Sequence, residues 1–280
     1  MNIWQRLAGL HRQWIFILVW IAVIFPLIVP ATFEISTTPE VKALYDAVEA
    51  LPDSSVVMLT FDLYPNALAE TEPMTRAALH HLFRNNHKVV TVTTIPLGGP
   101  SVAERVTREL AAEYGKVYGT DFVNLGYKPN YVSVLKGMGS SIESIYPADN
   151  SGTPLGRLPL MTTVKNYADI AFIFVVTDNG IIDFWISIVN AQFGKPVGAG
   201  VTSVMAPKQY AYIGSGQLTG MLGGMKGAAE YEQLVGKPAL AVTGMGIQSL
   251  VHFLLIGLIV VGNLGFFMNR RSQAKKGGGA

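Results

Sequence analysis

Two long stretches of the chain carry no formal charge, and they limit its folding more than any other feature. Between Arg12 and Glu34 lie 21 such residues, and between Lys237 and Arg270 lie 32, the densest apolar part being Ile247 to Met268. A helix of about 20 residues rises far enough to cross the ~30 Å hydrocarbon core of a bilayer. Each stretch is long enough for that. A hydrophobic fraction of 50% and a mean hydropathy of +0.34 agree with a chain partly in lipid. The expected organisation is a cytoplasmic start at 1–13, a first transmembrane helix at 14–33, a juxtamembrane segment and helix at 34–51, an α/β domain at 52–237, a connection and second transmembrane helix at 238–268, and a basic tail at 269–280.

Orientation follows from the flanks, because short segments rich in Lys and Arg stay in the cytoplasm. Arg6, Arg12, Arg270, Arg271, Lys275 and Lys276 lie outside the two stretches, and no acid does. That leaves the intervening domain with 15 of the 21 bases against all 19 acids, a net charge of −4. The expectation is a cell-membrane protein, N-in and C-in, with its main domain extracytoplasmic. An acidic domain on that side disfavours nucleic acid as a partner. The basic start and apolar run also fit a secretory signal, but no A-x-A site follows cleanly, so an uncleaved anchor is expected. Trp4 and Trp14 suit the interface, Pro26 should kink the first helix, and Pro30 should end it. With no cysteine, disulfides, thiol nucleophiles and thiolate metal sites are excluded.

Between the spans the pattern is α/β. Ile170 to Val176 are seven consecutive apolar residues, rich in Ile, Val and Phe and too short for a helix, which reads as a strand buried on both faces. The turn Thr177-Asp178-Asn179-Gly180 follows, and helical spacing resumes over Ile181 to Phe193. The same unit recurs along the chain. Pro39 to Leu51 reads as an amphipathic helix, Val56 to Tyr64 as a strand, and Pro65 to Asn85 as a helix. Lys88 to Ile95 is a second strand, followed by a helix that Ser101 should cap, with Glu104 completing a capping box. Asp121 to Tyr127 is a third strand, and Tyr131 to Ile145 a helix interrupted by Gly137 and Gly139. Pro147 to Pro159 is a long loop, Pro196 to Pro207 contains the last strand, and Lys208 to Ser215 is another loop. The alternation predicts a doubly wound, mostly parallel Rossmann-like sheet flanked by two transmembrane helices.

Gln217 to Gln233 reads as a glycine-rich helix on which Gly216, Gly220, Gly224 and Ala228 recur every four residues, widened by Gly223 and Gly227. Such a stripe lets a second backbone approach closely, either this domain's own sheet or another subunit. Gly214-Ser215-Gly216 loosely resembles an anion-binding turn, but the P-loop and G-x-G-x-x-G spacings are absent. In the second span, Gln248 and His252 share a helix face and Asn263 lies deeper.

In a parallel sheet, ligands bind beyond the carboxyl ends of the strands. The candidate catalytic residues are therefore Asp62, Asn124 and Asp178, and the candidate ligand-binding residues Asp178, Asn179, Thr202 and Ser203. Paired carboxylates suit acid–base work or a divalent cation, while Asp and Asn after strands also serve as turn and helix caps. His80, His81 and His87 lie on or just after one helix, Ser203 is not on a G-x-S-x-G elbow, and no metal or cofactor is expected.

The segments Phe122–Asn130 (FVNLGYKPN) and Ser215–Glu232 (SGQLTGMLGGMKGAAEYE) resemble those of a group of two-span bacterial membrane proteins with an extracytoplasmic Rossmann-like domain. The resemblance implies no activity and contributes no catalytic residue. It implies that the glycine helix is a defining part. The expected function is a non-enzymatic membrane-anchored module that assembles into a homo-oligomer or larger membrane complex. The alternative is a ligand-binding or hydrolytic domain working at the strand ends.

Overall fold

The computed structural model of the chain describes residues 11–28 and 35–277, with side chains up to 271. The expected anchor Trp4 and the helix stop at Pro30 lie outside the described residues. The chain forms two compact units, one of Met1–Glu34 with Thr243–Ala280 and the other of Ile35–Val242.

The first apolar stretch forms α1 (Arg12–Ile28), 17 residues with Pro26 inside the helix. Among the described residues a single helix, over Leu240–Arg271, is long and apolar enough to cross a membrane, where the sequence led to two. The expected first span runs on to residue 33, beyond the described end of α1.

The second unit is α/β. Its elements are α2 (Pro39–Glu49), β1 (Val56–Asp62), α3 (Leu68–Arg84), β2 (Lys88–Thr93), α4 (Gly99–Glu113), β3 (Phe122–Tyr127), α5 (Tyr131–Ser140), β4 (Phe172–Thr177), a helix α6 over 182–193, β5 (Val197–Val201), α7 (Ala206–Gly214), β6 (Met221–Gly223) and α8 (Gly224–Val235). It ends at the start of α9 (Leu240–Gly277). The six strands form one sheet in the order β3-β2-β1-β4-β5-β6, every pair parallel. That is the doubly wound order, with its switch point between β1 and β4. β1 and β4 finish in register, Asp62 opposite Thr177.

The central strands read as unbroken apolar runs because both faces are covered. One face carries Met58, Val90, Val123, Ile173 and Val197 beneath α5, α6 and the buried Tyr146, Tyr167 and Trp185. On the other, α3 and α8 pack together over the sheet, and α2 lies on β6. α2 docks through Val41, Leu44 and Val48, all at most 1% exposed and spaced as one helical stripe. Glu232 of α8, 2% exposed, accepts hydrogen bonds from the backbone N–H groups of Ala239, Ala241 and Val242 at 2.9, 3.0 and 3.0 Å. It satisfies donors that the first turn of a helix leaves unpaired.

Several elements differ from the sequence expectation. Lys208 to Ser215 is not a loop, since α7 covers most of it, with its Pro in the first turn where no N–H is needed. The expected glycine helix is two elements, strand β6 and helix α8, so the sheet gains a sixth strand. Gly216 and Gly224 adopt φ of +73° and +63°, left-handed conformations that a helix interior excludes. The four-residue glycine stripe therefore does not exist on one surface. Ser101 does not cap α4. Gly98 does, at φ +85°, because Gly99 sits so close to β1 that a Cβ there would meet the Phe61 carbonyl oxygen at 2.1 Å. α5 runs through Gly137 and Gly139 and breaks at Ser141 instead. The middle of α6, Trp185–Asn190, is wound as a π-helix.

Candidate functional site

The switch point brings the ends of β1 and β4 together, and the residues there bond mainly to one another. Asp62 is fully buried. Its Oδ1 accepts from the Thr94 backbone N–H at 2.6 Å and the Thr94 hydroxyl at 2.7 Å, and its Oδ2 accepts from the Trp185 indole at 3.1 Å. Burial raises the carboxyl above its ordinary pKa, opposed by the bonds from Thr94, Trp185 and Thr60. The backbone carbonyl of Asp62 accepts from the Thr177 hydroxyl at 3.1 Å and the Asn179 amide at 3.3 Å.

Asp178 lies just beyond, where its Oδ2 accepts from the Tyr64 backbone N–H at 3.2 Å and its Oδ1 from the Asn179 amide at 3.1 Å. The loop after β1 and the loop after β4 are thus stitched directly to each other. Asn179 also holds its own turn, its Oδ1 accepting from Ile181 N–H at 3.0 Å. These are the contacts of turn caps.

Asn124 belongs to a separate cluster. Its Nδ2 donates to Glu104 at 2.8 Å and its Oδ1 accepts from Gly126 N–H at 3.0 Å. Burial acts to raise Glu104, but bonds from Arg108, Asn124 and Asn150 with the Arg108 charge outweigh it, so the carboxyl lies low and ionised. Nearby, Asp149 accepts from the Tyr118 hydroxyl at 2.6 Å and from the backbone of Ser151 and Thr153 at 2.9 and 2.7 Å. The long loop after α5 is therefore held by a carboxylate at its centre.

Ser203 faces α3, donating through its N–H and its hydroxyl to Glu70 at 2.8 Å each. A Cβ on Gly224 would meet the Ser203 hydroxyl at 2.0 Å, which explains a glycine there. The Thr202 carbonyl accepts from the N–H groups of Met205 and Ala206 at 2.9 and 3.1 Å as the chain turns toward α7. Three of the remaining glycines also serve close approaches inside the domain. Gly220 lies against the Glu40 carbonyl and the Leu44 N–H of α2, and Gly227 against the backbone of Leu222. Gly223 abuts Ala206, and Gly216 faces open space. In the second apolar stretch, Gln248, His252 and Asn263 are exposed side chains of α9.

Sequence reasoning missed Tyr146 and Trp185, and it missed the pairing of Thr94 with Asp62 and of Glu104 with Asn124, because these partners lie on distant segments. Tyr146 is fully buried and its hydroxyl has no partner. Burial pushes its pKa far up, with Asp62 and Tyr127 adding to the effect, and the Lys128 ammonium sits 5.9 Å from its ring centre. Among the described residues, no three His, Asp or Glu side chains cluster as a metal ion would require. No protein-family model, curated protein or solved structure matches the chain.

Proposed function

We propose that this chain is a membrane-anchored, non-enzymatic assembly subunit, held by two spans with both ends in the cytoplasm and its α/β domain outside. What supports this reading is the closure of the switch point. Catalytic carboxylates need lone pairs directed at a substrate, whereas Asp62 is fully buried and bonded to Thr94 and Trp185, and each oxygen of Asp178 accepts a bond that holds a turn, from Tyr64 and from Asn179. Lateral assembly then falls to the apolar segments. An apolar groove of about 440 Å³ runs between α1 and α9, lined by Leu18, Ala22, Phe25, Leu250 and Phe253. Packing of small and large side chains is what drives helix association in lipid. The basic flanks support the orientation.

Native mass spectrometry of the complex extracted in mild detergent tests the reading. A defined high-mass assembly is expected, and Ala22→Trp, which fills the groove, should dissolve it. A monomer whose mass is unaffected by that change would rule assembly out.

A second reading, ligand binding or hydrolysis at the strand ends, is favoured by the unpartnered Tyr146 hydroxyl near Asp62. A copurifying small molecule that is lost on Tyr146→Phe would favour it over the first.

A further inference from the structure

Gln248, His252 and Asn263 of α9 are exposed, and none of the three side chains makes a hydrogen bond among the described residues. They interrupt the one described helix that is long and apolar enough to cross a membrane. At about 100° per residue, all three fall on one face of that helix, within an arc of about 60°. Leu250, Phe253 and Leu254, which line the groove shared with α1, lie about 160° away on average. The groove therefore does not cover the polar face.

The depth of these groups decides what the face can meet. With Arg270 at one boundary of a hydrocarbon core ~30 Å thick, Asn263 lies about 10 Å in and His252 about 27 Å, both within the core, while Gln248 reaches its far edge. Lipid tails offer no hydrogen-bond partner, and polar side chains within a span face protein instead. Symmetry then selects the protein. Copies of one chain insert with one orientation, so their α9 helices run parallel and identical residues meet at equal depth. An amide carries both donors and an acceptor, and an imidazole one of each. Every group on this face is thus complementary to its own copy, whereas an unrelated helix would need polar groups at three matching depths.

We propose that the Gln248–His252–Asn263 face of α9 packs against the same face of a second copy, with hydrogen bonds across the pair. The inference rests on the assembly reading and deepens it, since the groove occupies one side of α9 and the polar face another.

Because the chain has no cysteine, single introduced thiols report the contact directly. Ile259 is 62% exposed and lies between Gln248 and His252 in angle, so Ile259→Cys marks the polar face without removing any of its three groups. Leu250→Cys marks the groove on the opposite side. Copper-phenanthroline oxidation of the full-length protein in liposomes should link Ile259→Cys into a disulfide dimer. Adding Gln248→Leu, His252→Leu and Asn263→Leu makes the span more apolar, so insertion is kept, and should lower the dimer yield at least about tenfold, as loss of three interhelical hydrogen bonds implies. An assembly that links through Leu250→Cys and not through Ile259→Cys overturns this inference and leaves the assembly reading standing. So does an Ile259→Cys dimer that forms equally well without the three polar groups. A monomer by native mass spectrometry, with no disulfide at either position, overturns both.

Discussion

A carboxylate oxygen of Glu49 meets the Nε2 of His81 at 2.7 Å where α2 packs near α3. On its other side, His81 Nδ1 lies 2.7 Å from the Tyr231 hydroxyl of α8, and its ring stacks on Tyr45 at 4.5 Å. One fully buried imidazole thereby joins three helices. The neutral ring satisfies both contacts, donating to Glu49 and accepting from Tyr231.

Acid should weaken the fold through this residue. Burial pushes the His81 pKa down to about 4 from 6.5, against the bond to Glu49. The unfolded chain takes up a proton below 6.5 and the folded one does not until about 4. Stability is therefore full above that window and falls as pH drops through it, by roughly 3 kcal/mol in total. Urea unfolding between neutral pH and pH 4 measures the slope, and His81→Phe should flatten it.

Asp62 should behave in the opposite sense. Burial raises its folded pKa, so the folded protein holds the proton more readily than the unfolded chain, and this residue's contribution falls as pH rises from the ordinary carboxyl value of 3.8. Asp62→Ala leaves three donors unpaired, the Thr94 N–H and hydroxyl and the Trp185 indole, and is expected to cost about 3 kcal/mol or more, taking roughly one to three for each buried group left unsatisfied. Equilibrium denaturation checks it. A cost under about 1 kcal/mol would mean that water replaces the carboxylate.

Gly220→Ala should destabilise the domain without changing the mass of any complex. The added Cβ would lie 2.5 Å from the Glu40 carbonyl oxygen and 2.6 Å from the Leu44 nitrogen, both backbone, so α2 must move. Overpacking of this kind costs about 1–3 kcal/mol. Thermal unfolding beside native mass spectrometry separates the two effects. Dissociation of a complex with an unchanged unfolding temperature would return this glycine to an interface.

Glu232→Ala should loosen the start of α9 by removing the acceptor for three N–H groups, at an expected cost of about 1–2 kcal/mol, in the range of helix caps. Hydrogen exchange at Ala239, Ala241 and Val242 reads this directly. Glu232→Gln, which keeps one carbonyl oxygen, should lose less.

How much of this was legible in the sequence depends on how local each cause is. The runs at Val56–Asp62 and Phe172–Thr177 announce buried parallel strands because both faces of a central strand are covered. The polar turn after β4 was equally plain. β6 was not, since three residues at a sheet edge show no period, and the glycine spacing around it imitates a helical stripe. Ser101 and Glu104 match a capping box by spacing, but the helix start is set earlier by Gly99 against β1. The contacts of Asp62 come from residues 32 and 123 positions away, a separation that no local pattern encodes.

The order of the strands also sets the order of events during synthesis. β1 takes its second neighbour from β4, and the first residue of that pairing, Phe172, lies 115 positions after Val57. Until then β1, β2 and β3 can form only a half-sheet whose β1 edge presents free N–H and C=O groups, the arrangement that invites wrong pairing. Such long-range parallel pairing is slow to form. A nascent chain leaving the ribosome or a translocation channel passes through that state, so substitutions that slow the arrival or docking of β4 should lower the yield of folded protein more than they lower its final stability.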